Sequence, residues 1–213
     1  MEFEEFKHKI VKIKKMKLPG ESAQFKMAPK ERIDELKKIA DVKKRAKKAG
    51  VLALFYPSVS KQTMFALILR KTYKGVHSAQ IGFPGGKFEA TDSSLRVTAL
   101  RETEEEIGVN QNKVIVLKKL TEVYIPPSNF FVQPFLGYTN KTPNFILQED
   151  EVEDLIEVPL KYFMNDSIKS FQNLSTSYAK NIEVPVFNLN NHRVWGATAM
   201  MLSEVREMLK QLL

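Results

Sequence analysis

Apolar positions along the chain fall into short dense runs set between charge-rich stretches. The runs "GVLALFYP" (50–57) and "MFALILR" (64–70) are rich in strand formers and flank the turn-like "SVSKQ", which predicts two paired strands. A loop-rich passage follows, with a short strand near "AQIGF" (79–83). "KVIVLKKLTEVYI" (113–125) and "FFVQPFLGYT" (130–139) read as strands joined by "PPSN". "EVEDLIEVPLKYFMND" (151–166) predicts a strand running into a short helix, and "IEVPVFNLNNHRVWG" (182–196) a hairpin turning at Asn190–Asn191. The last seventeen residues predict a helix with Ala199, Leu202, Val205 and Leu209 on one side. Strands and helices alternate irregularly, which suits an α/β or α+β sandwich and not a regular βαβ array.

The first fifty residues differ from the rest. "LPG" (Leu18–Gly20) is a break, and "APKERIDELKKIADVKKRAKKAG" predicts an amphipathic helix with Pro29 in its first turn, Ile33, Leu36 and Ala40 as its stripe, and Gly50 as its stop. This quarter holds 16 Lys and Arg against 8 Asp and Glu, so it carries the whole +8 net charge, and the remainder balances at 17 of each. "KHKIVKIKKMK" and "KKRAKK" read as solvated helical surface; a phosphate or nucleic-acid footprint is the alternative, although no aromatics interleave for base stacking. We expect residues 1–50 to form a basic helical N-terminal extension and 51–213 the main domain. The absence of cysteine excludes disulfides, thiolate metal sites and a cysteine nucleophile. No run reaches the ~20 apolar residues of a membrane span, and "MEFEEFKHKI" is unlike a signal peptide, so a cytoplasmic location is expected.

Candidate chemistry sits in "GFPGGKFEATDSSLRVTALRETEEEIGV" (82–109). A helix should begin near Ser94, capped by Asp92 or Ser93, and stop at Gly108, with Val97, Leu100, Thr103 and Ile107 toward a core. At about 100° per residue, Glu102, Glu105 and Glu106 share one arc of about 100°, while Glu104 falls outside it as an ordinary solvated residue. Carboxylates so crowded repel by about 4 kcal/mol per pair at 4 Å unless a cation sits among them. Their hard oxygens suit Mg²⁺ or Mn²⁺. Glycines just upstream permit close backbone approach, and Arg101 adjoins the acids and can hold a glutamate by a bidentate pair.

These residues resemble the Nudix box, G-x(5)-E-x(7)-R-E-U-x-E-E-x-G-U with U aliphatic: Gly86, Arg101, Glu102, Glu105, Glu106, Gly108 and Val109 match. Asp92 stands in place of the first glutamate, eight residues separate it from Arg101, and Thr103 replaces an aliphatic residue. The lengthened box and the upstream Leu69, Arg70, His77, Gln80, Phe83, Pro84, Gly85 and Gly86 resemble the coenzyme A pyrophosphatase branch, with Ala79 where a glycine is usual. "PPSNFFVQPFLGY" and "EVEDLIEVPL" extend the likeness, which covers roughly residues 50–200.

The resemblance implies a Nudix α/β/α sandwich with a mixed sheet. It also implies Mg²⁺- or Mn²⁺-dependent splitting of coenzyme A or an acyl derivative into 3′,5′-ADP and (acyl-)4′-phosphopantetheine. Glu102, Glu105 and Glu106 would hold the metal, with a backbone carbonyl of Gly85 or Gly86 completing its ligands, and Glu105 or Glu151 would take the proton from water. Arg70, Lys71, Lys74, His77 and Lys87 form a basic neighbourhood for the 3′-phosphate or pyrophosphate, with Gln80 beside them in the same signature; a hydrated loop is the alternative. Trp195 and Phe187 read as core or hairpin packing, His8 and His192 as incidental, and "PPSN" as a pocket wall or a plain turn. A Nudix hydrolase of ADP-ribose, a dinucleotide or capped RNA, and a non-catalytic Nudix domain that binds a nucleotide or partner, are the alternatives. Nucleic acid is a weak partner expectation, no membrane partner is expected, and resemblance alone suggests a homodimer.

Overall fold

The computed structural model describes residues 1–29, 33, 46–72, 79–174 and 182–213. The helix expected over 28–50, apart from its two ends, lies outside them, as do Lys74 and His77.

Two long apolar runs build the centre. β1 (Lys47–Pro57) pairs antiparallel with β2 (Thr63–Arg70), and along β1 the side chains alternate between two cores. Leu52, Leu54 and Tyr56 enter one apolar cluster, and Val51, Ala53 and Phe55 the other. β3 (Ile81–Gly82) adds to β2, and β4 (Gly85–Lys87), a strand the glycines hide in the sequence, adds antiparallel to β1. β5 (Val114–Lys119) and β6 (Val123–Ile125) pair with β7 (Phe130–Thr139), which runs parallel to β1. β8 (Val152–Pro159) lies along β2. The result is a mixed sheet with core order β3-β2-β1-β7-β5. A smaller antiparallel sheet holds β9 (Lys169–Leu174), β10 (Ile182–Leu189) and β11 (His192–Val194). Asn190 and Asn191 make the β10–β11 turn at φ 48° and 65°, the left-handed pair that a two-residue hairpin needs.

Helices cover both faces. α1 (Phe3–Ile10) sends Phe3, Phe6 and Ile10 into the first cluster while Lys7 and Lys9 pair outward with Glu4 and Glu5. α2 (Glu21–Gln24) leads to Met27 and Ala28 in the same core. α3 (Leu95–Ile107) lies on the other face, with Ala99 and Ile107 buried in the second cluster. α4 (Leu160–Phe163) is one short turn. α5 (Gly196–Lys210) is buried on more sides than the apolar stripe predicts, because polar partners surround it. Glu204 accepts from Gly20 N, Gln24 Nε2 and both N and Oγ1 of Thr121, and Arg206 donates to Phe163 O and Met164 O. Among the described residues, no helix is long and apolar enough to cross a membrane.

Gly50 is not a helix stop. It sits inside β1, where a Cβ would come within 2.2 Å of Leu95 O, so α3 can rest directly on the strand only over glycine.

Candidate active site

α3 positions the acids. Its N-cap is Ser94, whose Oγ accepts from Val97 N, rather than Asp92 or Ser93; Gly108 closes it in the left-handed region at φ 72°. The core face runs through Ala99, Thr103 and Ile107, with Val97 and Leu100 only half-buried. Thr103 is fully buried where an aliphatic residue is usual, its hydroxyl satisfied by Ala99 O at 2.6 Å.

Asp92 is free of capping duty because it has another partner. Its carboxylate is buried and takes Arg101 by two points, Nε–Oδ1 at 3.0 Å and Nη2–Oδ2 at 3.0 Å, plus Thr98 Oγ1 and Glu89 N. Arg101 leads the effects that hold its pKa well below the ordinary carboxylate range. The bidentate pair of Arg101 therefore goes to Asp92, not to a glutamate. The same guanidinium still reaches Glu102 at 3.0 Å and Glu105 at 2.7 Å, so one arginine orients three acids.

The three glutamates grade from buried to exposed. Glu106 is 1% exposed; its Oε2 accepts from Gly85 N at 2.7 Å, and Arg70 Nη2 stands 3.3 Å from its Oε1. Burial pushes its pKa up to about 7 against the pull of Arg70 and the Gly85 N–H, with Glu102 and Glu151 pushing further. Glu102 is half-buried and also raised, by desolvation first. Its carboxylate lies over Gly86, where a Cβ would meet Oε2 at 2.2 Å. Glu105 is largely exposed. Glu104, expected to be merely solvated, is half-buried and accepts from Gln111 N. Glu151, on the turn before β8, is close enough to raise both Glu102 and Glu106.

The donor chemistry fits a hard divalent ion. Glu106 Oε1 is buried without a hydrogen-bond donor, and the raised Glu102 carboxylate and Glu151 act on Glu106 against Arg70 at 3.3 Å, so negative charge is in excess at that point. Among the described residues, however, no three acidic or histidine side chains converge as a ready cage, since Arg101 holds Glu102 and Glu105. Binding an ion there requires Glu105 to turn from Arg101.

Beside the glycines lies a cavity of about 360 Å³. Gly85 and Gly86 form part of its wall, and the glutamates stand behind that wall rather than in the lining. Among the described lining residues every charged one is a cation: Arg70, Lys87 and Arg193. Gln80, Pro126 and Pro127 also line it, as does Trp195, read from the sequence as packing; Phe187 is fully buried, as that reading had it. Arg70 is committed inward, donating to Gly85 O at 2.7 Å as well as facing Glu106. Arg193 escaped the sequence reading; the alternation of "RVW" at the end of a hairpin, with Val194 turned to the core, was the available signal.

The NUDIX domain pattern matches residues 46–173, more than half of the chain. The chain belongs to the NUDIX family. With the box residues in place, it is a Nudix pyrophosphohydrolase. It is 29% identical to the peroxisomal coenzyme A diphosphatase ndx-8 of Caenorhabditis elegans over 178 residues, 80% of this chain and 74% of that one. It is 30% identical to the uncharacterized Nudix hydrolase NudL of Yersinia pestis over 157 residues, 73% and 77% of the two chains. In fold, this Nudix chain matches the Nudix hydrolase RenU of M. smegmatis with a TM-score of 0.54 at 13% identity, covering 79% of this chain and 88% of that one.

Proposed function

We propose that this Nudix enzyme hydrolyses the pyrophosphate of coenzyme A or an acyl-coenzyme A, releasing 3′,5′-ADP and (acyl-)4′-phosphopantetheine. The observation that carries the reading is a cavity whose charged lining, among the described residues, is cationic and whose remaining described wall is largely apolar, abutting the Gly85–Gly86 wall with Glu102 and Glu106 behind it. Cations suit the phosphates, and apolar side chains such as Met200, Met201 and Phe83 suit a long uncharged arm. Similarity to the coenzyme A diphosphatase ndx-8 supports the same substrate class.

Glu102, Glu105 and Glu106 would hold Mg²⁺ or Mn²⁺, with Gly86 as a backbone ligand, and the chemistry supplied there would be neutralisation of phosphate charge and a lowered pKa for water. The protein supplies position. Asp92 fixes Arg101, Arg101 fixes Glu102 and Glu105, and Gly85 N fixes Glu106. Arg70 carries positive charge to the same strand that Gly85 occupies, with Lys87 and Gln80 alongside in the lining. The proton of the attacking water passes to Glu151, whose carboxylate has no ion-pair partner among the described residues, whereas Glu105, once turned from Arg101, would be taken up as an ion ligand.

The test is turnover with Mg²⁺ or Mn²⁺ against coenzyme A, ADP-ribose, diadenosine polyphosphates and capped RNA. Release of 3′,5′-ADP from coenzyme A at the highest kcat/KM supports the reading. Preference for a substrate lacking the 3′-phosphate refutes it.

A further inference from the structure

The terminal hairpin contributes a second set of groups to the cavity, away from the box in sequence. Arg193 and Trp195 are two residues apart on an extended segment: Arg193 pairs with Asn188 in β11, and Trp195 continues extended at φ −141°, ψ −179°. Period-two alternation puts them on one face and turns Val194, 1% exposed, to the core. Both line the cavity.

Arg193 donates Nη1 to Gln172 Oε1 at 2.8 Å and has no carboxylate partner among the described residues. One neutral amide steers the guanidinium and leaves its charge uncancelled. Arg70, by contrast, is spent on Glu106 and Gly85 O. Beside Arg193 the half-buried indole of Trp195 supplies a ring next to a cation, with Pro126 and Pro127 also in the wall. A planar aromatic surface next to an unpaired guanidinium suits a nucleobase with a phosphate on its own ribose.

We infer that Arg193 and Trp195 form a nucleotide subsite, Trp195 stacking on the base and Arg193 pairing with the ribose phosphate. The subsite selects for a 3′-phosphorylated nucleotide. This rests on the coenzyme A reading for the identity of that nucleotide, and it moves phosphate selection from the loop before the box to the hairpin after it.

Trp195 is the only tryptophan in the chain, so its emission reports on the subsite directly. The experiment titrates 3′,5′-ADP and 5′-AMP into metal-free full-length protein and into Arg193→Gln and Arg193→Lys, with circular dichroism confirming the fold. Saturable quenching is expected, with 3′,5′-ADP binding about ten-fold tighter than 5′-AMP. Arg193→Gln should erase that preference without changing 5′-AMP affinity, and Arg193→Lys should restore part of it. Unchanged emission on adding 3′,5′-ADP, or a preference that survives Arg193→Gln, overturns the inference. Hydrolysis is not needed for this readout: if quenching and selectivity appear while coenzyme A is not cleaved, the subsite stands and the substrate assignment falls. If coenzyme A is cleaved and Arg193→Gln leaves the selectivity intact, the reverse holds.

Discussion

Arg101 and Asp92 close a two-point ion pair, both contacts at 3.0 Å, with Asp92 buried and Arg101 mostly so. This pair converts the unusual aspartate of the box into an anchor. Without it, Arg101 would be free to rotate, and Glu102 and Glu105 would lose their common partner. Asp92→Asn should cost about 2 kcal/mol of stability, because Arg101 loses its two-point charged partner and keeps only Glu102 and Glu105. It should also lower kcat by at least ~10-fold through misplaced acids. The pKa of Asp92 is depressed below its ordinary value of 3.8, so its contribution is complete above that value and is lost as pH falls from there toward the folded pKa. The stability of wild type, read as denaturant midpoints by circular dichroism, should therefore fall more steeply below about pH 4 than that of Asp92→Asn, whose acid limb should be flatter.

Glu106 has the opposite sign. Its folded pKa is raised from 4.5 to about 7. The folded state holds the proton more tightly, so the favourable contribution is full below about 4.5 and disappears as pH rises through about 7, a swing on the order of 3 kcal/mol. Metal-free wild type should lose thermal stability over that interval, and Glu106→Gln should not. Melting curves from pH 4 to 8.5 in a chelator decide it; parallel curves for the two proteins would contradict the assignment.

Gly86→Ala tests the close approach. The new Cβ would stand 2.2 Å from Glu102 Oε2, and the clash is with the tip of a flexible side chain, so the chain folds and Glu102 swings away. A displaced ligand of about 1 Å corresponds to roughly a 10²-fold fall in turnover. Tm should change little. Gly85→Ala differs: its Cβ would meet Gly50 O at 2.4 Å, backbone against backbone, and the expected outcome is loss of fold.

Ala79 occupies the left-handed region at φ 54°, where a side chain costs about 1 kcal/mol or more. The strain is local to the start of β3. Ala79→Gly should leave stability unchanged or raise it by up to about 1 kcal/mol, since the glycine's unfolded-state entropy offsets part of the relief. Denaturant midpoints measure this directly.

How much of this was legible in the sequence varies with the kind of signal. The β1–β2 pair, the Asn190–Asn191 hairpin and α3 were readable because period and turn chemistry are local. β4 was not, since Gly85 and Gly86 carry no strand propensity and are held by pairing to β1. β9 (KSFQNL) escaped because its alternation is weak and mostly polar. The one-sided expectation for α5 failed because Glu204 and Arg206 find partners on distant segments, which no helical period encodes. In the site, spacing put Glu102, Glu105 and Glu106 on one arc, but their graded burial comes from the β4 strand lying against Glu106. Arg101's true partner, Asp92, depended on a loop geometry outside the helix.

The graded glutamates are proposed to hold a divalent ion. Electron paramagnetic resonance of Mn²⁺ titrated into the full-length protein measures free ion as its six-line signal. Wild type should remove that signal saturably, with affinity weakened at least about ten-fold in Glu102→Gln and in Glu106→Gln with their folds intact. Equal uptake by wild type and both variants, or none by wild type, would contradict it.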